Sequence, residues 1–237
     1  MRTTSSPTSP ERSRASRSTL ALVLWLGVAG LQIATVFALE AGGSGGREDT
    51  NEALYSYSLA LGSLFLYSVL ITLTFWIASL YPDRLSALGL RRFPARSLAV
   101  AAGVVIASII VSAALEPVLH AGREQGLEPE QWRPDRAAAF VVNALVIVTV
   151  VPFAEELFFR GLGVRALTAF GSLVAVIGSA SLFGLAHGII VALPALGFFG
   201  LALAWLRLRT ASVWPGILAH ATYNALGITA FFITSAS

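Results

Sequence analysis

The sequence predicts an all-α protein, a polytopic transmembrane helical bundle of about seven spans. Hydrophobic residues make up 56% of its 237 residues and charged residues only 12%, and the mean hydropathy is +0.75. A chain with so little polar surface cannot form a soluble globule of this size. Apolar runs of about twenty residues, the length that crosses a bilayer, recur along the chain.

The N-terminal region predicts a tail followed by a retained helix. Residues 1–18 are rich in Ser, Thr, Pro and Arg, and we expect them to be a disordered tail because they cannot bury enough apolar surface to fold. The apolar run 20–39 is long enough to span the membrane. No small-residue cleavage site closes a short core within this run, so it predicts a first transmembrane helix rather than a signal peptide.

Six further apolar runs predict the remaining helices, and the loops between them alternate in charge. The runs are 54–80, 97–115, 137–159, 172–188, 192–206 and 213–233. We divide the chain into the tail 1–18, an N-terminal region of three helices (19–136) and a C-terminal region of four helices (137–237).

The arginines cluster at the ends of the apolar runs, as membrane topology requires, so the basic charge does not indicate a nucleic-acid partner. By the positive-inside rule the N-terminus and the arginine-rich loops face the cytoplasm, and the acidic loops 40–52 and 116–136 lie outside. We expect an integral protein of a bacterial inner membrane. The chain has no cysteine, which excludes disulfides and cysteine-ligated metal sites.

Two adjacent acids, Glu155 and Glu156, lie in the fourth apolar run. An ionisable side chain at membrane depth costs roughly 2.5–3.5 kcal/mol, which indicates a function for the pair. Glu156 and Arg160 are four residues apart and share a helix face, so they predict an ion pair, whereas Glu155 points about 100° away and is left free to act as a base. The alternative is that both acids snorkel to water at a helix end.

Two later runs each supply a histidine. His187 follows Phe183 by one helical turn, and His220 precedes Asn224 by one turn, so each pair shares a face. Either histidine is also compatible with a packing role, because polar side chains form hydrogen-bonded clasps between membrane helices. We assign no role to His120.

Together these residues resemble the motifs of the CPBP family of intramembrane proteases, which includes the type II CAAX prenyl endopeptidases and the bacterial Abi-type proteins. The resemblance covers roughly 137–233 and matches at Glu155, Glu156, Arg160, Phe183, His187, His220 and Asn224. The first three helices match only in hydrophobicity and in the stretch 88–92, Leu-Gly-Leu-Arg-Arg. The resemblance implies an all-helical fold with a polar intramembrane cavity that opens toward the cytoplasm, and a catalytic core within 137–237.

The resemblance also implies glutamate-dependent peptide hydrolysis. Glu155 would be the general base, His187 would help to hold and polarise the water, and His220 and Asn224 would donate hydrogen bonds to the oxyanion. Glu156, Arg160 and Phe183 would support them. The expected partners are the lipid bilayer and a membrane protein or peptide substrate, either CAAX-like or a peptide or sorting anchor that is matured by cleavage.

Three alternatives remain open at this point. Glu155, His187 and His220 form a His/His/Glu set that zinc would accept, although we favour a site without a cofactor because no helix carries the His-Glu-x-x-His spacing. A non-catalytic scaffold or immunity protein would keep the polar cluster for folding. A proton-coupled transporter would use the same groups as a relay, although no internal repeat of the kind common in transporters is visible.

Overall fold

The computed structural model describes residues 9–42, 52–120 and 132–236, and within these ranges every regular element is helical. Seven main helices follow one another in this part of the chain, and six of them are long and apolar enough to cross a membrane. This confirms the predicted helical bundle. The acidic segments 43–51 and 121–131 lie outside the described residues, as do residues 1–8 of the predicted tail.

The helices have the following bounds, with α4 given as one continuous helical segment: α1 Ser9–Ala41, α2 Tyr57–Ala78, α3 Arg96–Leu119, α4 Pro134–Phe170, α5 Ser172–Leu185, α6 Leu193–Thr210 and α7 Trp214–Ala236. A single helical turn, Arg84–Ala87, lies between α2 and α3.

The first helix begins earlier than the sequence predicts. Residues 9–18, which we expected to belong to a disordered tail, continue α1 on its N-terminal side. Arginine, alanine and glutamate are good helix formers, so a helix that the membrane already stabilises extends into this polar segment at little cost.

Helix α4 also continues past the predicted end at residue 159, as far as Phe170. Gly161 and Gly163 follow the predicted end of the run, but both lie in the helix interior. A Cβ on Gly161 would lie 2.9 Å from the backbone oxygen of Leu88, and one on Gly163 would overlap the ring of Trp25. These glycines therefore allow close packing, which is their common use in membrane helices.

The distribution of polarity is that of a membrane protein. Large apolar side chains are exposed on the outer surface, including Phe65 at 73% and Leu173 at 72%, whereas Glu156 and Arg160 are 0% exposed. The predicted alternative, in which both acids snorkel to water, is therefore wrong, since Glu155 is buried as well. The bundle buries these three charged groups at its centre and exposes apolar groups where lipid would be.

Candidate active site

Two π-helical segments interrupt α4, one before the acidic pair and one that begins at its second member, Glu156. They span Val146–Val150 and Glu156–Gly163, and the α-helical turn Val151–Glu155 lies between them. Short π segments inside α-helices occur frequently at functional sites. Their wider turns are supported here from outside the helix, because Trp25 Nε1 donates to the carbonyl of Phe158 at 3.1 Å and Ser179 Oγ donates to that of Phe159 at 2.9 Å.

Glu156 is the centre of a buried polar cluster. Arg160 Nη1 donates to Glu156 Oε1 at 2.9 Å, which is the i,i+4 pair that the sequence indicates. His220 Nδ1 lies 3.2 Å from the same oxygen. A carboxylate paired with a guanidinium only accepts hydrogen bonds, so Nδ1 of His220 carries the hydrogen and donates it. Glu156 thereby orients the imidazole on α7 as well as the guanidinium on its own helix.

Arg160 has two further contacts that fix its position. Its Nη2 donates to the carbonyl oxygen of Gly200 at 3.3 Å, and its Cζ lies 3.9 Å from the centre of the Phe183 ring. A guanidinium over an aromatic face gains a cation–π interaction that is strongest when both groups are out of water. Phe183 therefore supports the cluster directly.

Glu155 has one oxygen bound and one free. Tyr67 Oη donates to Oε1 at 2.8 Å. Oε2 is buried, and no hydrogen-bond partner for it is found among the described residues. The nearest basic nitrogen is Nε2 of His220, at 3.8 Å, which is too long for a direct hydrogen bond but suitable for a bridge through one water.

His187 lies just after the end of α5 and joins the cluster through Phe183. Its Nδ1 is 2.8 Å from the carbonyl oxygen of Phe183, so Nδ1 donates and Nε2 is left unprotonated in the neutral ring. The ring centres of His187 and His220 lie 4.7 Å and 5.8 Å from that of Phe183. The structure therefore brings both histidines to one aromatic side chain.

Asn224 is also part of the site, but its carboxamide is already engaged. Its Nδ2 donates to the carbonyl of Ile147 at 3.0 Å, within the first π segment of α4. A primary amide nitrogen carries two hydrogens, so one remains for another acceptor. Asn224 thus ties α7 to α4 and retains a free donor.

A cavity of about 330 Å³ adjoins the two imidazoles and the amide. Its remaining walls come mainly from the segment before α2 and its first turn, from α6 and from the second half of α7: Ala53, Leu54, Leu59, Ile147, Phe183, Leu196, Phe199, Tyr223, Gly227 and Ile228. These elements place the cavity toward the helix ends opposite to the arginine-rich ends. The resemblance implies a cavity that opens toward the cytoplasm, whereas the positive-inside rule places the arginine-rich ends in the cytoplasm. Because the cavity lies toward the opposite ends, the two expectations disagree in this structure.

The zinc alternative finds no preformed site. No group of three or more histidine, cysteine, aspartate or glutamate side chains in the described ranges is arranged to hold a metal ion. The free Nε2 atoms of the two histidines have suitable chemistry as single ligands, but with Glu155 they do not form a coordination shell in this arrangement.

Sequence reasoning missed two residues of the site. Tyr67 lies in α2, outside the region of resemblance, and an isolated tyrosine in an apolar run gives no signal for its contact with Glu155. Gly216 lies in the first turn of α7, where an added Cβ would be 2.8 Å from Glu156 Oε2. Its position four residues before His220 is the only indication that the sequence offers.

Comparison with known proteins agrees with this geometry. No curated protein and no solved structure is significantly similar to this chain. Residues 137–226, which include every motif residue from Glu155 to Asn224, match the family model for type II CAAX prenyl endopeptidases, described as Rce1-like. This match supports the assignment of segment 137–226 to the Rce1-like, CAAX-type endopeptidases that the motifs resemble.

Proposed function

We propose that this protein hydrolyses a peptide bond of a membrane-anchored protein or peptide, with a water molecule activated by Glu155. The match of residues 137–226 to a family of endopeptidases supports the reaction class. The observation that carries the mechanism is Oε2 of Glu155, a buried carboxylate oxygen without a partner in the described residues, 3.8 Å from a ring nitrogen of His220.

The first step is proton transfer from water to Glu155. A water between Oε2 and the histidine nitrogens would give its proton to the carboxylate while its oxygen attacks the carbonyl carbon. The tyrosine on Oε1 holds the carboxylate in one orientation and leaves Oε2 available to the water. The protonated acid then returns the proton to the amine as the carbon–nitrogen bond breaks.

The remaining groups stabilise the oxyanion and hold the water. The second hydrogen of Asn224 Nδ2 is free to donate to the oxyanion, and removal of one such donor typically costs about a hundredfold or more in rate. Nε2 of His220 donates to it when that atom carries a proton. His187 lines the cavity, and its Nε2, which is not engaged by the Phe183 carbonyl, would hold the attacking water.

The lining of the cavity supports a membrane-embedded substrate. Leucine, isoleucine and phenylalanine form most of the wall next to the two imidazoles. Such a wall accommodates an apolar side chain or a lipid-modified residue beside the scissile bond. We therefore propose as substrates a CAAX-like C-terminus, a C-terminal sorting anchor or a maturing peptide, cleaved without a metal cofactor.

The decisive experiment is comparative proteomics of cells that carry the wild type or Glu155→Gln. We expect uncleaved termini of specific membrane proteins to accumulate in the Glu155→Gln cells. Glu52→Gln is the matched control, because Glu52 is a partly exposed acid that pairs with Arg133 and Arg136 outside the site. If no terminus differs between Glu155→Gln and wild-type cells, the protease proposal is wrong and the scaffold alternative is favoured.

We also propose that the arginine-rich ends face the cytoplasm of a bacterial inner membrane, so that the cavity faces the other side. The chain contains no cysteine, so single cysteines can be introduced without a special background. Arg92→Cys and Ser56→Cys mark opposite ends of the bundle, at an exposed and a partly exposed position. A membrane-impermeant maleimide added to intact cells should label the protein with Ser56→Cys and not the one with Arg92→Cys. The reverse labelling would overturn the proposed orientation.

A further inference from the structure

A second cavity, of about 410 Å³, lies at the arginine-rich end of the bundle, away from the acidic pair. Its walls come from the turn after α2, the last part of α4 and the end of α6: Tyr81, Pro82, Asp83, Ser86, Ala87, Arg91, Val164, Arg165, Thr168, Arg207, Leu208 and Ala211. This arginine cavity has no role in the proposed hydrolysis.

Its charge is strongly unbalanced. Three guanidinium groups, those of Arg91, Arg165 and Arg207, line it against a single carboxylate, that of Asp83. Asp83 caps the turn Arg84–Ala87, since its Oδ1 accepts from the backbone nitrogen of Ser86 at 3.1 Å. Within the described residues none of the three arginines forms an ion pair with a carboxylate. The cavity is therefore suited to an anion.

Arg207 distinguishes this cavity from an ordinary basic helix end. Arginines at membrane helix ends usually snorkel into water, as the exposed Arg92 and Arg209 can. Arg207 is only 9% exposed, and its Nε is buried with no hydrogen-bond partner in the described part of the chain. The neighbouring charge of Arg91 opposes its own. A buried cation held beside a second cation indicates a site for a negatively charged ligand.

The stretch 88–92, which the resemblance singles out without a function, builds this site. Gly89 has a φ of +70°, and a Cβ there would lie 2.5 Å from the guanidinium of Arg207. The backbone N–H of Val213 donates to the carbonyl oxygen of Gly89 at 2.9 Å, and Ser212 Oγ donates to the carbonyl oxygen of Arg91 at 2.8 Å. The glycine thus makes room for Arg207, while the bonds to the turn after α6 hold Arg91 beside it.

Arg165 completes the site from α4. Its Cζ lies 4.7 Å from the centre of the Tyr81 ring, so the ring limits where the guanidinium can move. Arginine binds phosphate through two parallel N–H groups, and several arginines together are typical of phosphate recognition. The cavity lies at the helix ends, the level at which lipid headgroups occur.

We propose that Arg91, Arg165 and Arg207 bind a phosphate group, either that of an anionic lipid headgroup or a free phosphate. The test uses the purified full-length protein in a zwitterionic detergent. Its thermal unfolding is followed against inorganic phosphate, with chloride at equal ionic strength as the reference, and against dihexanoyl phosphatidylglycerol. Arg165→Gln and Arg91→Gln remove exposed members of the site. Arg209→Gln is the matched control, an exposed arginine of the same helix end that does not line the cavity.

We expect saturable stabilisation by at least one probe. Because a hydrogen bond between charged groups is lost, Arg165→Gln and Arg91→Gln should each weaken the apparent affinity about tenfold, and Arg209→Gln should not. Stabilisation by the lipid alone identifies a headgroup site, and stabilisation by phosphate alone identifies a soluble anion. The proposal is overturned if neither probe saturates, or if Arg209→Gln weakens binding as much as the two site variants.

Discussion

Tyr67 Oη lies 2.8 Å from Glu155 Oε1, so a tyrosine of α2 holds the acid that we propose as the general base. The two residues are 88 positions apart in sequence. This contact joins the N-terminal helices, which lie outside the matched segment 137–226, to the site within it. The first helices are therefore expected to contribute to catalysis as well as to anchoring.

Replacement of Tyr67 by Phe tests this contribution. A hydrogen bond to a charged group is worth roughly 1.5–3 kcal/mol, so we expect cleavage to fall about tenfold to a hundredfold. The readout is kcat and KM on a substrate identified by the proteomic comparison. Tyr57→Phe, at an exposed tyrosine of the same helix, should have no effect. Equal activities of the Tyr67→Phe protein and the wild type would show that the contact does not position the base.

Replacement of Glu156 by Gln should destabilise the fold. It removes the carboxylate that pairs with Arg160, and the guanidinium would remain buried without compensation. Breaking a buried ion pair in this way costs about 3–5 kcal/mol. The free energy of unfolding in mixed micelles measures the loss. Glu52→Gln removes a partly exposed pair and should cost less than about 1 kcal/mol; a similar cost for both variants would contradict the assigned role of Glu156.

Replacement of Gly216 by Ala should lower activity by moving Glu156. The added methyl group would lie 2.8 Å from Oε2, too close for an unshifted carboxylate, and Oε1 of that side chain orients His220. Gly103→Ala is the control, since an added Cβ there meets nothing within 4 Å. In a helix interior the control substitution should stabilise by up to about 1 kcal/mol. Unchanged cleavage by the Gly216→Ala protein would show that the position of Glu156 is not critical.

Exhaustive chelation should leave cleavage intact. We propose that the acid activates water directly, and the described residues present no preformed group of three metal ligands. The measurement is the cleavage rate before and after dialysis against a strong chelator, with and without added zinc. Complete loss of activity that zinc restores would replace the glutamate mechanism by a metal-dependent one.

Hydrophobic length and motif spacing predict the spans and the polar cluster because both depend on local sequence. Apolar runs of sufficient length specify the helices, and the four-residue spacing of Glu156 and Arg160 specifies their contact. The predicted end of α4 is wrong because a glycine inside a membrane helix need not break it, and Gly161 instead serves packing against Leu88. Tyr67 cannot be predicted because its contact depends on how α2 packs against α4.

The extension of α4 also explains how His187 returns to the level of the acid. From the predicted helix bounds, His187 would lie about 22 Å along the fifth helix and His220 only about 10 Å along the seventh. In the structure α4 continues for fifteen residues beyond Glu155 to Phe170, and α5 returns over a similar length to His187. Because the two segments run in opposite directions over similar lengths, His187 lies at about the same depth as Glu155.

The π segment Glu156–Gly163 sets a strict limit on insertions and deletions. A π-helix holds more residues per turn than an α-helix, so the number of residues in this segment sets the angle at which the rest of α4 continues, and loss of one residue would change that angle. Arg165 would then leave its place over Tyr81 while Glu155 kept its own. The number of residues in this segment therefore fixes the rotation of the arginine cavity at the end of α4 relative to the acidic pair.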